Sequence, residues 1–283
     1  MSKKHHYVPV FHLKNWCNAK GELVAWRRTN GKVIPKVNAT PSGFGYEPFL
    51  YSYHEDFDVE DRHEIETEFF QKVDSRCAKI MTKLLNGENL TGDDRTHWAY
   101  FILLYRLRTP ETVDWIKAEW RKQALEDLTG PDGEYEAVKS DEDPGTLFEW
   151  VGDHHPGYIE SLAVAQIPQI AKSHKAIKDI LSFRWCVIGR KGKGRALLNS
   201  DRPLVWTSLA SDQCILALPL SPTHLFLAFQ KHSPMERFVS SQSPRSLVEE
   251  TNRMVVSNAD EFVFSQTPGD VSPRFLRNNL KGK

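Results

Sequence analysis

Between residues 61 and 86 the apolar positions Ile65, Phe69, Val73, Cys77, Ile80 and Leu84 recur at spacings of four and three. Such a stripe predicts an amphipathic helix over this stretch, stopped by Asn86-Gly87. Thr91 then caps a second helix, with Asp93 and Asp94 in the first turn, where carboxylates suit the helix dipole. Its run WAYFILLY (98–105) is apolar nearly all round, which predicts a central, buried helix ending at Arg108. Thr109-Pro110-Glu111 starts a third helix with Pro at the first helical position, running to about Leu128 with Val113, Ile116, Trp120 and Leu128 inward. Residues 129–146 are acidic and rich in Gly and Pro, the composition of a mobile surface loop. A fourth helical stretch covers 146–181, broken near His155-Pro156 and bent near Pro168.

The pattern changes on either side of this block. GELVAWRR (21–28) and KVIPKV (32–37) bracket Thr29-Asn30-Gly31, a hairpin signal because Asn and Gly tolerate positive φ. Pro35, which lacks an N–H, makes the second strand an edge. After Ser182 come FRWCVIGR, RALLNS, LVWTS, CILALPL and HLFLAF, with gaps too short for crossover helices, so an antiparallel meander is expected. A helix at 244–258 and a last strand at 261–265 follow, and the polar, basic tail from Gln266 is expected to be ordered only where it docks. The fold class read from these elements is α+β: an N-terminal β-hairpin, a central helical block and a C-terminal, mainly antiparallel sheet. One domain spanning 1–283 is expected, with an arm and hairpin at 1–60, a helical block at 61–181, a β-rich region at 182–265 and a tail at 266–283.

Equal numbers of basic and acidic residues, 37 each, remove any steering argument from net charge. Their distribution does more. Residues 1–36 hold eight Lys/Arg against Glu22, residues 172–202 hold nine against Asp179 and Asp201, and residues 131–160 hold nine acids against Lys139. Two basic surfaces and one acidic surface result, most simply as solvated faces. Cys17, Cys77, Cys186 and Cys214 are widely spaced among apolar neighbours, the pattern of buried free thiols in a reducing compartment. No signal segment opens the chain and no apolar run is long enough to span a bilayer, so the expected location is the cytoplasm, away from membranes. Oligomeric state is left open.

The opening MSKKHHYVPVFHLKNW pairs His5 and His6, follows them with Pro9 and anchors them with Val8, Phe11, Leu13 and Trp16. Those anchors should fold the arm back onto the C-terminal sheet. Side chains of neighbouring residues on an extended chain point to opposite sides, so one imidazole is expected to be functional and the other to hold the scaffold. Asp201, in NSDRP (199–203), is either an Asx-turn or a carboxylate for a divalent cation, with Asn199 and Ser200 beside it as oxygen donors suited to Mg2+. Glu66 lies at the edge of the long helix's stripe, where an inward acid needs a partner. Arg108 leaves the apolar helix and has the planar fork that clasps phosphate. His154-His155-Pro156 repeats the HHP pattern without evident aromatic anchoring and reads as surface. GRKGKG (189–194) lacks phosphate-loop spacing and reads as a basic hairpin tip.

Several of these segments resemble a family of bacterial proteins known as domain of unknown function 4238. The HHYVP opening with Leu13 and Trp16 is similar to the family's start, although His12 stands where the family usually has Tyr. Leu23–Trp26 resembles the strand that follows, and Phe49–Tyr53 sits at an aromatic, Tyr-containing segment. Ile65-Glu66, Arg108-Thr109-Pro110, Ser200–Pro203 and Pro219–Pro222 resemble four further short motifs, with Asn199 in place of the usual Thr, and Asn252 falls where the late helix carries Asn. The resemblance implies kinship and no activity, so no residue role comes from it.

Two readings of function follow from the residues. One is an enzyme: a phosphodiester hydrolase, in its most specific form a nuclease dependent on Mg2+ or Mn2+. His5, His6, Glu66 and Asp201 would be catalytic, with His6, Glu66 and Asp201 as metal ligands. Arg108, Asn199, Ser200 and Arg202 would hold the substrate, a nucleic acid or nucleotide. The alternative is a regulatory module that binds a nucleotide, a nucleic acid or a protein without turnover.

Overall fold

The computed structural model describes residues 4–130, 133–189 and 194–281. The basic tip at 190–193 and the start of the acidic loop at 131–132 fall outside the described residues.

In chain order the elements are β1 (Lys4–His6), α1 (Val10–Leu13), β2 (Leu23–Thr29), β3 (Lys32–Ala39), β4 (Tyr46–Pro48), a π-helical turn (Ile65–Phe70) running into α2 (Gln71–Leu85), α3 (Gly92–Leu107), α4 (Pro110–Leu128), α5 (Gly133–Val138), α6 (Leu147–His154), α7 (Tyr158–Ala165), α8 (Ile167–Ala171) and α9 (His174–Ser182). Then come β5 (Arg184–Gly189), β6 (Asn199–Ser200), β7 (Val205–Trp206), β8 (Ile215–Ser221), β9 (His224–Phe229), α10 (Pro234–Ser241), α11 (Pro244–Asn258), β10 (Phe262–Ser265) and α12 (Pro273–Asn279). The α+β class is therefore the observed one. Two compact units divide these elements, and their segments interleave along the chain.

The first unit takes residues 1–5, 47–73 and 107–172. Its helical part packs α4 against α6 and α7, burying Val113 and Ile116 against a core that includes Ile159, Ala163 and Val164. The expected long helical stretch breaks where foreseen: α6 ends at His154, and Gly157 (φ +75°) precedes α7. Trp120, expected inward, is 36% exposed. One departure matters for the site. The helix expected from residue 61 begins as a π-helical turn, whose i→i+5 bonds insert one extra residue per turn. The inward positions shift accordingly: Phe70, not Phe69, enters the core, and Glu66 turns in beside Ile65.

The second unit takes residues 6–46, 74–106 and 173–283. It holds two antiparallel four-stranded sheets, ordered β3-β2-β10-β6 and β5-β9-β8-β7. The Asn30-Gly31 turn has positive φ at both residues (49° and 73°), and Pro35 sits on the edge strand β3. The N-terminal hairpin is not separate from the C-terminal strands. β10 inserts between β2 and β6, so the last strand ties the hairpin to the later chain. The arm docks as expected: Trp16 Nε1 donates to Leu197 O at 3.0 Å, Asn15 Nδ2 donates to Leu220 O at 2.8 Å, and Phe11 packs on Phe101. α3 is buried as its composition predicts, with Trp98 and Phe101 against each other and Trp98 edge-on to Phe226. Thr91 and Asp94 cap it reciprocally. The tail is ordered where it docks: it forms α12, whose Leu276, with Leu280 just after it, joins the core around Val256 and Val263. Cys77 and Cys214 are buried, whereas Cys17 and Cys186 are half-buried, and all four are free thiols. No helix among the described residues is long and apolar enough to cross a membrane.

Candidate functional site

The residues singled out from the sequence divide between the two units. His5, Glu66 and Arg108 belong to the first. His6, Asn199, Ser200, Asp201 and Arg202 belong to the second.

In the second unit the NSDRP segment is engaged with backbone. Asp201 Oδ1 accepts from the amide of Asp260, and its Oδ2 accepts from the amides of Glu261 and Phe262, at 2.7–2.9 Å. These bonds clamp the turn that leads into β10. Burial pushes the Asp201 carboxyl up to about 6, against the pull of the three amides. Asn199 Oδ1 accepts from the Ser200 amide, Ser200 Oγ accepts from the Arg202 amide, and the Arg202 guanidinium lies 3.9 Å from Asp260. Both oxygens of the expected cation ligand therefore accept backbone hydrogen bonds in this geometry. His6 is half-buried, its Nε2 3.4 Å from Ser42 O and its ring tilted on Tyr46. His12, a departure from the family pattern, is fully buried: its Nε2 lies 2.6 Å from Pro219 O and its Nδ1 2.9 Å from the Tyr105 hydroxyl. A carbonyl only accepts, so Nε2 carries the proton and Nδ1 accepts from Tyr105. Burial drives its pKa down to about 4.

A cleft of about 240 Å³ also lies in this unit, lined by Arg195, Glu249, Asn252, Asp270 and Phe275 among others. Asn252 uses both ends of its amide on backbone, accepting from Leu198 and donating to Ala196. Arg195 faces Glu249 at 3.9 Å. This cleft is a framework feature with little chemistry free to act.

The first unit gathers the rest. His5, 0% exposed, accepts at Nδ1 from the Tyr51 amide (3.0 Å) and stacks on the Tyr51 ring. The Tyr51 hydroxyl donates to Arg108 O, and its ring packs on Phe70 with centroids 4.6 Å apart. The Arg108 guanidinium lies 4.5 Å from the centre of the other partner of that ring contact, Phe70, a cation–π arrangement. Arg108 is 1% exposed and Glu66 8%, so both are closed off from bulk water. Three distant segments therefore meet through one chain of ring contacts, from His5 to Arg108.

Toward solvent, His63 meets His5 edge to face with centroids 5.3 Å apart. His63 Nδ1 is 2.8 Å from Ser52 Oγ. Phe49 stacks on the His63 ring, is 44% exposed and holds φ at +60°, a left-handed conformation that costs a bulky residue energy. Asp61 accepts from the His63 amide and the Thr67 hydroxyl. The backbone bond from His63 leads in keeping the Asp61 carboxyl below its usual range, and the two imidazoles, His63 and His5, pull it further the same way.

Sequence reasoning missed Ser52, His63, Asp61 and Phe49. Asp61 two residues before His63 is a capping signal at a helix start, and a closer reading could have found it. Ser52 carries no local signal, because its partner is set by the fold. The second histidine pair does have aromatic anchoring, contrary to expectation: His154 stacks on Trp150, and His155 touches both Trp150 and Tyr158. Both histidines are exposed, as expected. Among the described residues no group of three His, Cys, Asp or Glu side chains is placed to hold a metal ion.

Comparison with known proteins agrees with the motifs of the opening segment. No curated protein and no solved structure matches the chain. A family model described as a protein of unknown function, DUF4238, matches residues 4–269. With nearly the whole chain covered by that model, the protein belongs to the DUF4238 family.

Proposed function

We propose that the protein hydrolyses a phosphodiester and that the chemistry is centred on the His5–His63 pair of the first unit. The observation that carries the reading is the pairing itself. One imidazole is buried and oriented by a backbone amide, and the other is half-exposed with a hydroxyl at its Nδ1. An imidazole serves as both general base and general acid, so half-exposed His63, backed by ring contact with buried His5, can carry a proton between reacting groups here. Asp61 accepts from the His63 amide and the Thr67 hydroxyl and so fixes the start of the helix that carries His63. Glu66 and Arg108 support the pair from behind, Arg108 by holding Tyr51 and through it His5. Asp201, Asn199, Ser200 and His6 drop out of the proposed machinery, since their polar groups serve the second unit's own backbone and rings. Mg2+ or Mn2+ stays within the proposal through the way Mg2+ commonly binds, by one or two carboxylates completed with substrate oxygens and water.

The second reading, a module that binds a nucleotide or nucleic acid without turnover, is favoured by the burial of Arg108 and Glu66, which suits fixed architecture. Cleavage assays separate the two. Single- and double-stranded DNA and RNA are offered with Mg2+, with Mn2+ and with EDTA. Turnover that falls at least 100-fold in His63→Ala supports the hydrolase. Binding by gel shift with no turnover under any condition supports the module.

A further inference from the structure

We propose that Ser52 is the nucleophile of this site, its hydroxyl activated by His63 to accept the phosphoryl group of a diester substrate. The inference rests on the hydrolase reading for its substrate class and on separate geometry for the residue. Ser52 Oγ and His63 Nδ1 stand 2.8 Å apart, the separation at which a serine hydroxyl passes its proton to an imidazole.

The pair is held by the chain on both sides. The Ser52 amide donates to Phe49 O, closing the turn that carries the left-handed Phe49. Before Ser52, Tyr51 is fixed at its amide by His5 and at its hydroxyl by Arg108 O. After it, the Tyr53 amide donates to Arg62 O, Arg62 Nε donates back to Tyr53 O, and the Tyr53 hydroxyl donates to Glu64. Three bonds thus pin the segment around Ser52 to the segment around His63. His63 is held in turn by Asp61 at its amide and by the helix that begins there, with Glu66 and Thr67 donating to its carbonyl. A hydrogen bond between two loosely held surface groups would need none of this support. Both Ser52 and His63 are half-buried, so the hydroxyl is fixed and still open to a ligand. Phe49, stacked on the His63 ring, is itself 44% exposed.

The chemistry balances in two displacements. In the first, Ser52 Oγ bonds to phosphorus as the bond from phosphorus to the leaving oxygen breaks. The hydroxyl proton moves to His63 Nδ1 and from there to the departing alkoxide, which leaves as an alcohol. In the second, water bonds to phosphorus as the bond to Oγ breaks. The water's proton passes through His63 back to Oγ, and a phosphate monoester is released. Asp61 lies within electrostatic reach of the imidazolium present between these transfers.

The test is labelling of the intact protein with an alkyl fluorophosphonate, in which phosphorus is attacked and fluoride leaves, followed by peptide mass spectrometry. The expected result is one phosphonyl adduct on Ser52, absent in Ser52→Ala and formed at least 100-fold more slowly in His63→Gln, with circular dichroism unchanged. Wild-type protein that cleaves diesters yet carries no adduct on Ser52 overturns the inference and leaves the hydrolase reading standing, with water as the nucleophile. An adduct on Ser52 in a protein inert toward every diester keeps the nucleophile and overturns the hydrolase reading. An adduct that forms at the wild-type rate in His63→Gln removes the imidazole from the activation and overturns the pair. Neither adduct nor turnover overturns both proposals.

Discussion

His12 should make the second unit sensitive to mild acid, and the size of the effect follows from its surroundings. The ring is fully buried, gives its Nε2 proton to Pro219 O, takes the Tyr105 hydroxyl at Nδ1, and has Trp16 and Tyr105 edge-on. Protonating Nδ1 would set two donors against each other and bury a charge. Its pKa accordingly falls from 6.5 to about 4. Because the folded value is the lower one, the unfolded chain binds more protons between these limits, so the stability is present above pH 6.5 and lost as pH falls through about 4. At 1.36 kcal/mol for each pKa unit, the full contribution is about 3 kcal/mol, and about 2 kcal/mol of it has gone by about pH 5. Other groups titrate in the same window, so the comparison is with His12→Gln, whose amide N–H can still serve Pro219 O and does not titrate. Urea unfolding followed by tryptophan fluorescence at pH 7 and pH 5 gives both stabilities. The wild type should lose about 2 kcal/mol more than the variant on going to pH 5. Equal losses in the two proteins would refute the reasoning.

Gly45→Ala should destabilise the second unit by at least about 2 kcal/mol, because φ there is +62° and an added Cβ would lie 2.5 Å from Val8 Cβ. A lower urea midpoint with unchanged slope checks this. Asp201→Ala leaves three amide donors without their acceptor and should cost about 3 kcal/mol in the same assay, even after relief of the buried charge. Asn252→Ala removes the side chain that bonds Leu198 and Ala196, so amide exchange at Leu198 should quicken, which hydrogen-exchange mass spectrometry reads.

The elements with strong local codes were legible in the sequence. The Asn30-Gly31 hairpin, the apolar α3 and the Pro110 helix start each follow from a few adjacent residues. The break before Pro156 belongs with them. Non-local pairing was not legible: nothing in EFVFS says that it inserts between the N-terminal hairpin and Asn199-Ser200. The π-helical turn misled the periodicity argument, because one extra residue per turn moves Phe70 inward and Phe69 outward while the spacing still reads as α-helical. Of the candidate site, the buried trio His5, Glu66 and Arg108 was visible as unusual residues at anchored positions. Ser52 and His63 were not, since their relation is created by the return of the chain from Tyr53 to Arg62. Asp201 illustrates the opposite case: its motif was conspicuous, and the structure spends it on holding a turn.

The central claim is that the chemistry belongs to the His5–His63 pair and not to the NSDRP carboxylate. The most direct measurement is phosphodiester turnover per folded molecule for wild type, His63→Ala and Asp201→Ala, with the folded fraction taken from circular dichroism of each sample. The account predicts loss of turnover of at least 100-fold in His63→Ala with a melting temperature within a few degrees of wild type, and near wild-type turnover per folded molecule in Asp201→Ala despite its lower stability. Folded Asp201→Ala protein without activity beside an active His63→Ala would contradict it.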